Sequence, residues 1–326
     1  MQRAEPGLWQ CYTYTVEKQE VLMFNFLALL SGIVIAVMVV FNGDLTAVYG
    51  NYNATFIIHL VGVIFAFFFS KIRGQKVFSR EKLPLWLYSA GAIGIFTTLF
   101  NNYSFGKISL TGILALTLFG QTVFSLLIDN LGLFGMKKHP LRKSSLIGLL
   151  FSLAGIIFML SDVAGVDSAA VAAIVFSFAA GCLTVITRTI NARLSGHIGA
   201  MPGSFINHLV GLPFTLILAL VMPANDITLL VKSPSPHAWV YFGGLLGVLV
   251  TYVLNIAVPK ISSFNLTLLA FVGQVFVGIV IDLIRKNDFS PVTFYGGIIV
   301  AAGIALNMSI EYIQNLRKKA RTMKEE

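Results

Sequence analysis

The heptapeptide FIIHLVG at residues 56–62 recurs as FINHLVG at residues 205–211, with one change and the same central histidine, His59 and then His208. The match extends along the chain. At the spacing of 149 residues that joins 59 to 208, Gly32, Asn42, Leu45 and Gly50 meet Gly181, Asn191, Leu194 and Gly199. After a connection four residues longer in the second copy, Trp86, Tyr88, Asn102, Gln121 and Asp129 meet Trp239, Tyr241, Asn255, Gln274 and Asp282. KIS at 107–109 meets KIS at 260–262, and Gly148 and Gly155 meet Gly296 and Gly303. Collinear matches over this length mark a duplicated unit, so any fold for this chain is built from two copies.

Composition says what solvent the copies meet. Hydrophobic residues make up 56% of the chain and charged residues 11%, against roughly 25% charged in soluble domains. Too few polar groups are present to clothe a soluble core, which places the chain among integral membrane proteins. Apolar runs of the length a bilayer requires fall at 24–42, 54–70, 84–103, 108–129, 145–161, 169–190, 201–222, 238–256, 261–283 and 292–312. The tight joins at 103–108 and 256–261 leave eight or nine spans as the alternative count.

Ten spans sort the basic residues unevenly. One side receives eighteen Lys and Arg, in clusters such as KIRGQKVFSREK, KKHPLRK and RKKARTMK, and the other only Lys107, Lys232, Arg285 and Lys286. By the positive-inside rule both termini are expected in the cytoplasm. The net charge of +9 is thereby explained by topology, and no nucleic-acid partner is expected. Five spans per copy is an odd number, so the second copy enters the membrane from the opposite side, as in the inverted repeats of secondary transporters. The expected organisation is an N-terminal extension (1–23), a first five-helix repeat (24–163), a second (164–313) and a basic cytoplasmic tail (314–326). The opening 22 residues lack the basic start and apolar core of a signal peptide.

The stretches SGIVIAVMVVFNGDLTAVYGN…FIIHLVG and AGCLTVITRTINARLSGHIGA…FINHLVG resemble the YdcZ-like family of the drug/metabolite transporter superfamily, in a fused two-unit version, over nearly all of residues 24–312. The resemblance implies an all-α fold of ten transmembrane helices in two inverted repeats, of the EamA-like kind, in the bacterial inner membrane. It also implies an exporter role and peripheral fifth and tenth helices. Members often have Gln where this chain has Val39 and Arg188, so no role transfers at those two positions.

Polar groups inside spans are costly unless paired or wetted, which makes each a candidate. Gln121 and Gln274 follow glycines near the middle of the fourth and ninth spans and suit either substrate contact or helix–helix hydrogen bonding. Asn42 and Asn191, read as lying near helix ends, are nominated beside them, with capping as the alternative. His59 and His208 suit gating or proton coupling, or a plain backbone hydrogen bond. Inverted symmetry is expected to hold the two at opposite faces and not side by side. Arg188, Lys107 and Lys260 are possible anion contacts, with snorkelling to the head groups as the alternative. Asp129 and Asp282 are expected to face water at the ends of their spans.

No mid-span carboxylate is present to bind cations, which disfavours multidrug-cation exchange. Nor is there a P-loop, an H-E-x-x-H cluster or a G-x-S-x-G elbow, so no enzyme activity, cofactor or metal is expected. Cys11 and Cys182 are too few for a disulfide framework. Glycines recurring at seven residues on the fifth and tenth spans suit either a homodimer or packing within one chain. The expected function is a secondary transporter of a small metabolite across the cytoplasmic membrane, with lipid and that solute as partners. The alternatives are a facilitative importer or exchanger, and a non-transporting scaffold or sensor.

Overall fold

A computed structural model describes residues 6–78, 82–105, 107–108, 110–139, 143–160, 168–223, 225–284 and 291–325. Helix α1 (Pro6–Ile72) is broken at Gly50, where φ is 77° and ψ 168°. Helices α5 (Ser168–Ile198) and α6 (Ala200–Val221) are parted at Gly199, with φ 98° and ψ 155°. These are backbone angles that glycine adopts without a Cβ clash, and they fall at matched positions of the duplication.

The remaining elements keep the same register. Helix α2 (Ala90–Ser104) is entered through a 3-10 turn at Leu85–Tyr88, and α8 (Gly243–Ala257) through one at Ala238–Phe242. Helices α3 (Leu110–Leu131) and α9 (Ser263–Ile284) span 22 residues each. Helix α4 (Lys143–Leu160) corresponds to the start of α10 (Pro291–Glu325). The four-residue α7 (Leu229–Lys232) lies in the longer connection of the second copy.

Among the described residues, five helices are long and apolar enough to cross a membrane: Gln19–Ile72, Ser168–Ile198, Ala200–Val221, Ala238–Ala257 and Ser263–Ile281. Shorter apolar helices lie at Leu116–Leu131, Leu146–Gly155 and Phe294–Gly303. Large apolar side chains such as Phe26, Phe68, Leu150, Phe214 and Leu220 stand exposed on the outer surface, as a lipid-facing exterior requires.

Two expected helix ends are corrected. The span read as 24–42 continues to Gly50, and the one read as 169–190 continues to Ile198. Apolar residues thin out after Asn42 and Asn191, but the helices run on through Gly43 and Gly196, and only Gly50 and Gly199 take the positive φ that breaks them. Asn42, Arg188 and Asn191 therefore sit well inside helices and not at their caps.

Helices of one copy pack mainly on helices of the other. Helix α1 lies against α6, α8 and α9, while α5 lies against α2 and α3. Glycines set the approach. A methyl group on Gly32 would strike the Ala270 carbonyl of α9, and one on Gly181 would strike the equivalent Thr117 carbonyl of α3. Small residues thus let backbones touch, the source of packing energy where lipid removes the hydrophobic drive between helices. The seven-residue glycine stripe serves packing within the chain: Gly155 of α4 meets Gly296 and Val300 of α10, and Gly303 meets Phe151.

Candidate functional site

The interlocked helices enclose a cavity of about 290 Å³ with walls from α1, α2, α3, α5, α6, α8 and α9. Seven of the nine nominated residues line it: Asn42, His59, Gln121, Arg188, Asn191, His208 and Gln274. The two lysines lie outside it. Lys107 donates from Nζ to the Tyr103 carbonyl at 3.0 Å and covers the Tyr103 ring, and Lys260 lies over the Phe24 ring.

The histidines meet at the centre. Their ring centroids are 5.8 Å apart, which overturns the expectation of opposite faces. Each is the ninth residue of a 22-residue helical segment following the glycine break, and those segments pack against each other at the two rings. His59 Nδ1 donates to the Thr55 carbonyl and His208 Nδ1 to the Ser204 carbonyl, both at 2.9 Å. Since a carbonyl only accepts, the proton is on Nδ1 and Nε2 is turned away from the helix. The last glycine of each heptapeptide completes the crossing: the His208 ring lies on Gly62 and the His59 ring on Gly211.

Arg188 does not snorkel. It is 5% exposed, ten residues before the end of α5, and its guanidinium spans three helices. The two N–H bonds of Nη2 have four acceptors within reach: Ser125 Oγ of α3 at 3.1 Å and, on α9, Ser263 Oγ at 3.0 Å, the Ser263 carbonyl at 3.1 Å and Thr267 Oγ1 at 2.6 Å. Nη1 donates to Gln121 Oε1 at 3.4 Å. Asp129 is corrected too, since it is buried. Its carboxylate accepts the Ser263 N–H at 2.9 Å and the Phe264 N–H at 2.8 Å, capping the N-terminus of α9. The Asp282 side chain lies outside the described residues.

The one residue that differs between the heptapeptides breaks the symmetry of the amides. Asn191 Nδ2 donates to Asn207 Oδ1 at 2.9 Å. The equivalent of Asn207 is Ile58, which has no group to accept from Asn42, while Oδ1 of both Asn42 and Asn191 is without a partner among the described residues. Asn101, Asn207, Thr97 and Thr187 also line the cavity and were not nominated from sequence. Asn207 was legible as the single change in the heptapeptide. Ser125, Ser263 and Thr267 carried only the weak signal of hydroxyls within apolar spans.

The cavity extends toward one end of the bundle. It reaches Gly43, Thr46 and Phe105 but not their counterparts Ala192, Ser195 and Val258. Phe105 is 51% exposed and Val258 3%. At the closed end Ala192, Val258, Leu254, Ala257 and Leu266 form an apolar plug with Ala28. Helix α8 is tied down there by Asn255 Nδ2 donating to the Ala200 carbonyl at 2.9 Å.

A protein-family model described as "Putative inner membrane exporter, YdcZ" matches twice, at residues 23–158 and 172–306. A solved structure described as "Crystal structure of protein" superposes with a TM-score of 0.65 at 16% identity, covering 88% of this chain and 96% of that one, a likeness of fold. No curated protein matches.

Proposed function

We propose that this chain, which belongs to the YdcZ family of drug/metabolite transporters, is a secondary transporter that exports a small metabolite across the cytoplasmic membrane by alternating access. The observation that carries this reading is the convergence of polar side chains from both copies on one cavity inside an apolar helical bundle. Polar groups among membrane helices are retained where they serve a pathway. We count ten spans, as the two arms of α1 with α2 to α6 and α8 to α10, in two inverted repeats with both termini in the cytoplasm. Export rests on the family.

In that orientation the open end of the cavity, at Thr46 and Phe105, faces away from the cytoplasm. The opposite state exchanges the roles of the copies, opening at Ser195 and Val258 and closing at Thr46 and Phe105, because those positions are matched in the duplication. Gln121, Gln274, Asn42 and Asn191 contact the solute, and the His59–His208 crossing is the pivot on which the gates turn.

Flux into liposomes holding the purified protein tests this. Saturable uptake from a panel of small metabolites of varied charge is expected, with Gln121→Ala and Gln274→Ala each lowering apparent affinity by about 10-fold, one hydrogen bond's worth. No saturable flux with any solute would favour a scaffold or sensor. Flux indifferent to both substitutions would remove the glutamines from the site. An imposed pH gradient that changes the rate in the native protein but not in His59→Gln or His208→Gln would assign proton coupling to the pair.

A further inference from the structure

We propose that the transported solute is a small amphipathic monocarboxylate and that Arg188 selects it; this rests on the transport reading above. Three residues one and two turns apart on α5, Thr184, Arg188 and Asn191, form a stripe lining the cavity. The matching stripe on α1 is Ile35, Val39 and Asn42, and it lines the cavity as well. The duplication therefore presents a charged, hydroxylated wall on one side and a mostly apolar wall on the other.

The charge on the α5 wall has no carboxylate in direct contact among the described residues; Asp129, buried nearby behind Ser263, offsets it only through space. No Asp or Glu lines the cavity among the described residues. The nearest candidate, Asp129, has both oxygens on backbone N–H groups of α9. Arg188 Nε has no acceptor among the described residues, and Nη1 has only the long contact to Gln121. A buried guanidinium with free donors beside a cavity is a receptor for a carboxylate, since buried donors without acceptors are costly and a charge-assisted hydrogen bond is strong.

Fold maintenance does not account for the arginine. The groups that hold it, Ser125, Ser263 and Thr267, have Gly278, Leu110 and Leu114 as counterparts, and Arg188 itself has Val39. The other half of the molecule assembles without any of them. Nη2 is fastened to those hydroxyls, which aims the remaining edge of the guanidinium and limits the side-chain freedom lost on binding. A solute bound by its carboxylate on α5 turns its aliphatic body to Ile35 and Val39. At about 290 Å³ the cavity lies at the lower end of the range for small-molecule sites.

The test uses the full chain in detergent micelles and in liposomes, with straight-chain aliphatic carboxylates of three to six carbons, their primary amides and the matching amines. The acids are expected to raise the melting temperature and to be carried, whereas amides and amines at equal concentration do neither. Arg188→Gln is expected to weaken acid binding about 10- to 100-fold, to the level of the amide, and Arg188→Lys to recover part of it. Equal shifts by acid and amide, preference for the amine, or no shift with any of the three overturns the proposal. Should Arg188→Gln not fold, the ranking of acid, amide and amine on the native protein decides. Acid binding without flux would uphold recognition by Arg188 and overturn transport. Flux of uncharged or cationic solutes without acid preference would do the reverse.

Discussion

His59 and His208 stand with their rings 5.8 Å apart, each seated on the glycine that ends the other's heptapeptide, Gly211 beneath His59 and Gly62 beneath His208. The repeated heptapeptide is thus a self-complementary contact in which the same surface is used twice about one axis. Its histidine and glycine are two halves of one interaction.

Gly62→Ala is expected to push the His208 ring off its helix contact and to destabilise the protein by about 1–3 kcal/mol, the range for overpacking. His208→Ala should relieve it. Thermal unfolding of both single variants and the double variant gives the coupling, expected at about 0.5–3 kcal/mol. Additive losses would show that ring and glycine do not touch in the working protein.

Asn207→Ile makes the two heptapeptides identical in their third residue and leaves Asn191 Nδ2 without its acceptor. A loss of about 0.6 kcal/mol, typical of one interhelical hydrogen bond in a membrane, is expected. Asn191→Ala in the Asn207→Ile background should then cost little more. Two full, independent losses in unfolding measurements would break the pairing.

Asp129 holds the first two N–H groups of α9. Asp129→Ala is expected to lower stability by about 0.5–2 kcal/mol, as loss of a helix cap does, with Asp129→Asn in between because it keeps one acceptor. The order is read from melting temperatures. An Asn variant as weak as Ala would show that charge, and not acceptance, is what α9 needs.

Single cysteines at 46 and 105, in a chain with Cys11 and Cys182 replaced by Ser, are expected to react with a membrane-impermeant maleimide added from the periplasmic side. Cysteines at 195 and 258 should react more slowly from the cytoplasmic side, through the opposite state alone. The reverse pattern would assign the open end of the cavity to the other face. Equal labelling rates at all four positions would mean that the state open at Thr46 and Phe105 is not the favoured one.

Much of the architecture was legible because it is written locally. Helices follow from apolar runs of bilayer length, and copy number from collinear residues. The alignment of the copies was accurate enough that Gly50 and Gly199, paired on sequence alone, proved to be the two breaks with left-handed φ. Helix ends were less legible. Asn42 and Asn191 were read near caps because apolarity stops there, yet helical hydrogen bonding continues through polar residues, and through Gly43 and Gly196, to the positive-φ glycines at 50 and 199.

Within the candidate site, sequence singled out seven side chains that proved to share a cavity, on the ground that polar groups in lipid need a reason. It misjudged how they are arranged. The histidines were set apart, Arg188 was offered a route to the head groups, and Asp129 was given to water, because each was placed by its depth along its own helix. Rotation of a helix about its axis, and which distant segment crosses it, do not appear in a linear pattern.

From its sequence alone this protein was determined to be a duplicated, membrane-type helical chain with polar pairs at matched positions. Those properties depend on residue type and spacing within one segment, and any neighbour in space would leave them unchanged. Only the tertiary structure decided that the copies interlock, that both heptapeptides cross at one point, and that the cavity has one charged wall and one open end. Those depend on contacts between residues far apart in the chain, where single differences such as Asn207 against Ile58 and Arg188 against Val39 turn two like copies into an unlike pair.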